Sequence, residues 1–100
     1  MNNGLMPIGS VVLLKGAEKR LMIVGVCRME EKDGKQLIWD YAGCYYPEGY
    51  IDENKVFLFN NDMIDTVYAI GFQDEEQFEF KIKADALIAE AREKYNSMSE

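Results

Sequence analysis

RLMIVGVCRMEEKDGKQLIWDYAGC, residues 20–44, is the stretch that decides the fold. Two β-rich runs, Arg20 to Glu30 and Gln36 to Cys44, flank a charged connector centred on Asp33-Gly34. The two central residues of a tight hairpin turn take positive φ, which Asp and Gly tolerate, so the runs are predicted to pair as an antiparallel hairpin. The first run is almost continuously apolar, the pattern of a strand covered on both faces for part of its length. Gly25 in its middle marks a bulge or a sharp bend.

Working outward, Pro7-Ile8-Gly9-Ser10 is a turn signal, Val11 to Lys15 a short first strand, and Gly16 to Lys19 a polar turn. On the other side, Tyr45 to Tyr50 breaks the strand pattern with Pro47 and Gly49 and reads as an ordered aromatic loop. Lys55 to Asn60 is a fourth apolar run. Asn60-Asn61-Asp62 is a capping cluster able to open a single helical turn, and Thr66 to Phe72 a fifth strand. From Asp74 to Asn96 the chain has no Gly or Pro, is rich in helix formers, and begins with three acidic residues, as a helix N-terminus favours. A helix from about Asp74 is expected. The alternation of Phe78, Phe80 and Ile82 with charged residues leaves a sixth strand over Gln77–Lys83 as the alternative.

These elements predict an α+β fold: a strongly bent antiparallel sheet, or a small SH3-like barrel, of about five strands with a C-terminal helix. A chain of 100 residues, 48% hydrophobic, is the size of one domain, with residues 5–72 as the β meander and 74–96 as the helix. If the whole tract is helical, its apolar residues fall on two stripes. Phe78, Ile82, Ala86 and Ala89 share one side; Phe80, Ala84, Leu87, Ala91 and Tyr95 lie opposite. The sheet covers one stripe, leaving the other to a loop, a partner or a second copy of the chain.

Composition narrows the function. Eleven basic against eighteen acidic residues give a net charge of −7. That field repels nucleic-acid phosphates and anionic lipid, whose binding needs clustered cations. Met1 to Gly9 show no secretory signal, and no apolar run approaches the about 20 residues of a membrane helix, so a cytoplasmic protein is expected. Cys27 and Cys44 are read as reduced core thiols.

With no histidine, neither a Ser-His-Asp nor a Cys-His device can be built, and two lone cysteines fall short of a zinc site. Phosphate-cradling glycine motifs are missing. The carboxylates around Asp52 and Asp62 lack the spacing of a calcium loop and read as turns and caps. An acid–base pair such as Asp40 with Asp52 would need a cleft that nothing in the sequence indicates. No enzyme, cofactor or metal is therefore expected.

The aromatic loop is the better candidate. Trp39, Tyr41, Tyr45, Tyr46 and Tyr50 lie close together in sequence, and Tyr and Trp are common interface anchors. The plainer alternative is that they alternate in the third strand and seal the sheet. Tyr45, Tyr46 and Tyr50, with Phe80, Leu87 and Tyr95 from the helix, are the candidate partner-binding residues.

Leu5 to Gly16, then Lys19 to Gly25, Trp39 to Cys44 with Tyr46-Pro47-Glu48-Gly49, Asn60 to Asp65, and Gly71 to Glu76, in that order and spacing, resemble a family of small uncharacterised Firmicute proteins, domain of unknown function four-one-seven-six. The resemblance covers about Leu5 to Phe78; Phe80-Lys81-Ile82-Lys83 departs from the family's usual charged helix. Its members tend to be encoded beside LXG toxins of type VII secretion. The resemblance implies a targeting factor or chaperone-like adaptor whose partner is the toxin's targeting region or a secretion component. It implies no catalytic residues. An immunity protein facing a basic toxin, and a small-molecule-binding barrel, are the other functional expectations.

Overall fold

A computed structural model describes residues 4–98, with side chains through Lys94. Five strands, β1 (Val11–Leu14), β2 (Leu21–Lys32), β3 (Lys35–Tyr45), β4 (Val56–Phe59) and β5 (Ile64–Ala69), form one antiparallel sheet in the order β4-β3-β2-β1-β5. Short 3-10 turns at Glu53–Lys55 and Asn61–Met63 bracket β4, and helix α1 (Glu75–Met98) closes the chain.

The β2–β3 hairpin runs from Leu21 opposite Tyr45 to Lys32 opposite Lys35. Its turn has Asp33 at φ 55° and Gly34 at φ 76°, the two positive values that the Asp-Gly pair predicts. One register shift, between Ile23 and Gly25, places the expected bulge.

The sheet is open. β4 and β5 are its edges and no ladder joins them among the described residues, so the barrel alternative is corrected. Closure needs edge strands that run alongside each other, and β4 has only four residues. The expected bend is nevertheless required by chain length. Five flat strands span about 19 Å edge to edge. The five Cα steps from Phe59 to Ile64, three of them in a 3-10 turn, reach only about 13 Å. The edges can be joined only if the sheet curls.

Cross-strand partners share a face, and the rows Val26–Tyr41–Phe59 and Leu21–Tyr45 build the core side. Val12, Ile23, Tyr41 and Phe59 are fully enclosed there, with Leu5 and Met6 from the N-terminal arm and Ala84 and Ile88 from the helix. The Tyr41 and Phe59 rings meet at 5.4 Å in a tilted arrangement.

Residues 77–83 are helical, as the favoured reading expected. Asp74 caps the helix: its Oδ1 accepts the Gln77 N–H at 2.9 Å. The two-stripe expectation is corrected. Ala84 and Ile88 are buried, and Lys81, Asp85, Ala91 and Arg92 partly so, which is one stripe at i, i+3, i+4 spacing that takes Ala84 and Ala91 from the second expected stripe and is otherwise rotated toward the first. Phe78, Phe80, Ile82 and Leu87 all stay exposed. Asp85 takes the Leu5 N–H of the N-terminal arm and Arg92 reaches Asp40 and Asn60, and these ties set the helix's rotation.

Candidate functional site: an apolar groove beside a polar seam

The turns of α1 from Asp85 to Arg92 meet the sheet and the N-terminal arm through a polar seam around an open cleft of about 540 Å³. Buried Asp40 on β3 takes Arg92 on one carboxylate oxygen at 3.1 Å and the Asn61 N–H on the other at 2.8 Å. Asn60 Oδ1 accepts both from the Asp40 N–H at 2.8 Å and from Arg92 at 3.0 Å. The Tyr41 hydroxyl donates to Asn61 Oδ1 at 2.6 Å and accepts the Met6 N–H at 2.8 Å. Burial pushes the Tyr41 phenol up to about 12 against the opposing pull of the Met6 hydrogen bond, so it stays a donor. Asp85 accepts the Leu5 N–H at 3.0 Å and pairs with Lys81 at 2.8 Å.

Asp40, Tyr41, Asn60, Asn61, Asp85 and Arg92 each have protein partners, which makes the seam a clasp between arm, sheet and helix. Asp52, weighed above with Asp40 as an acid–base pair, instead caps a 3-10 turn, accepting the Asn54 N–H at 2.8 Å. Among the described residues no three His, Cys, Asp or Glu side chains gather as for a metal ion.

The predicted tyrosines are not gathered into one surface. Tyr45 is half-buried on Phe57, with ring centroids 5.1 Å apart. Tyr46 and Tyr68 both lie against the Arg20 guanidinium, at 5.2 and 5.5 Å. Beside them Glu48 pairs with Lys19 at 2.8 Å, and the hydrogen bond from Lys19 holds its carboxyl below the usual range. Tyr50 stands exposed in its loop, Trp39 donates its indole N–H to Glu30, and the Tyr95 side chain lies outside the described residues.

The first turns of α1 frame something different, an apolar groove of about 510 Å³ walled by Ile8, Val26, Phe72 and Phe80. Phe72 is 79% exposed, and Ile8 and Phe80 more than half. The backbone beneath is fixed. Buried Ser10 donates its hydroxyl to the Pro7 carbonyl at 2.8 Å and accepts the Gly71 N–H at 3.0 Å. Gly71 lies so close to the Ile8 carbonyl that any side chain there would collide with it. Phe72 therefore projects from a braced connector between β5, which ends at Ala69 rather than at Phe72, and α1. Of the residues predicted to bind a partner, Phe80 lines the groove and Leu87 is exposed farther along the helix.

Ile8, Val26 and Phe72 escaped the sequence reading, which took Ile8 as a turn residue and Phe72 as the end of a strand. The signal available was an apolar residue inside the Pro7–Ser10 turn and an aromatic directly after a glycine.

The chain belongs to the DUF4176 family. The model of that family, described as a domain of unknown function, matches residues 5–80. No curated protein and no solved structure matches the chain. The DUF4176 match takes in the arm, all five strands and the start of α1, so the four apolar walls of the groove lie inside it, whereas Asp85, Ile88 and Arg92 lie beyond it. No helix among the described residues is long and apolar enough to cross a membrane.

Proposed function

We propose that this DUF4176 protein is a non-catalytic accessory protein that binds another protein, serving as a targeting factor or chaperone-like adaptor for an LXG toxin of type VII secretion. The observation that carries the reading is the open groove: apolar side chains on a braced frame, on a small acidic chain, without a convergent polar constellation inside it. Surface of that kind is stabilised by being covered. The secretion pathway enters through the family resemblance described above.

Deleting the gene in its native host tests the proposal. The neighbouring toxin should lose stability or export while the producing cell stays healthy, and the tagged protein should co-purify with it. Unchanged export with no toxin recovered would dispose of the adaptor role. Self-intoxication of the deletion strain would point to an immunity protein, whose acidic surface would suit a basic toxin face.

A further inference from the structure

We infer that the groove takes an amphipathic protein segment that sets apolar side chains against Phe72 and Phe80 and basic side chains beside them. The inference rests on the adaptor reading and specifies what its partner must present.

Charge decides the occupant. Asp74 and Glu76 line the groove, and Glu75 and Glu79 stand exposed on the same turns of α1. Lys81, the cation that lines it, is held by Asp85 at 2.8 Å. The floor is therefore mainly apolar, with the buried Gln77 Oε1 as an acceptor lacking a partner among the described residues, and the rim anionic, within a chain of net charge −7. A second copy would bring its own carboxylates against these, which opposes association. Pairing along the β5 edge is a poorer route, because two register shifts in the β1–β5 ladder twist that edge. A segment carrying Lys or Arg beside its apolar residues satisfies floor and rim together.

The test is an NMR titration of the ¹⁵N-labelled full chain with synthetic peptides. Two are built of Leu and Lys, one with helical and one with strand spacing, and their Leu/Glu and Ser/Lys counterparts complete the set. At least one Leu/Lys peptide should move the amides of Ile8, Val26, Phe72 and Phe80 saturably, and the counterparts should not. The double variant Phe72→Ser, Phe80→Ser should weaken that peptide about tenfold or more. Both side chains are exposed, so the fold should persist; should that variant unfold, the exposed charge reversals Glu76→Lys and Glu79→Lys should still shift preference from Leu/Lys toward Leu/Glu. Ser/Lys binding as tightly, shifts elsewhere, or no saturable Leu/Lys binding would overturn the inference. So would the same amides moving with protein concentration alone, which marks self-association. A toxin captured without groove binding sinks this inference but leaves the adaptor role; groove binding with toxin export untouched does the reverse.

Discussion

The two halves of α1 treat the sheet in opposite ways. From its middle turn onward, Asp85 and Arg92 reach into a seam where both meet protein partners. At its N-terminal half, Phe80 joins Phe72 and Ile8 in leaving apolar surface to solvent. A satisfied polar network favours one arrangement of arm, sheet and helix, and has little left to offer a ligand. An open apolar wall adds little to the stability of the isolated chain and much to a complex. One half secures the fold, and the other is available for binding.

This contrast can be broken most severely at the core both halves rest on. Phe59→Ala should destabilise the protein by about 3–5 kcal/mol, read by denaturant unfolding, because the ring is fully enclosed and leaves a cavity. Next comes the seam itself. Asp40→Ala should cost about 2–3 kcal/mol, since Arg92 and the Asn61 N–H both lose their carboxylate. Adding Arg92→Ala should cost less than the sum of the single changes, because the two act as one unit.

Tyr41→Phe keeps the ring and removes the hydroxyl, and should cost about 1–2 kcal/mol. It also carries a pH signature. Below the ordinary phenol value of 10.0 both folded and unfolded chains hold the proton, and Tyr41 adds no pH dependence. Between 10.0 and about 12 the unfolded chain ionises first, so stability falls as the pH rises through that window. The loss should be on the order of 2 kcal/mol. Ultraviolet titration of the phenols should show one tyrosine ionising late, and the Tyr41→Phe chain should lose both that step and its alkaline slope.

The smallest effect is expected on the groove side. Phe80→Ser should change stability by no more than about 0.5 kcal/mol while lowering the binding of a hydrophobic dye. A large destabilisation there would mean that the phenylalanine supports the fold and would erase the contrast between the two halves.

Local features were the legible ones. Asp33-Gly34 marked its turn, Gly25 its bulge, and Asp74 with the alanine-rich tract its helix, because each depends on backbone conformations that neighbouring residues choose. The strand-like alternation of Phe78, Phe80 and Ile82 was outweighed by that cap and by the helix-forming tract after it. The candidate site was less legible. Tyr45, expected to face a partner, leans on Phe57, while Ile8, Val26 and Phe72 are far apart in sequence and share a wall only once the sheet curls.

Composition, turn chemistry and capping were therefore enough to specify an acidic chain with a central hairpin, five strands and one helix, since those signals act over a few residues. Which side of the helix turned inward, whether the sheet closed, and which apolar residues met at its surface depended on contacts such as Leu5 to Asp85 and Asp40 to Arg92. Those contacts join positions 80 and 52 residues apart along the chain, and no local pattern records them.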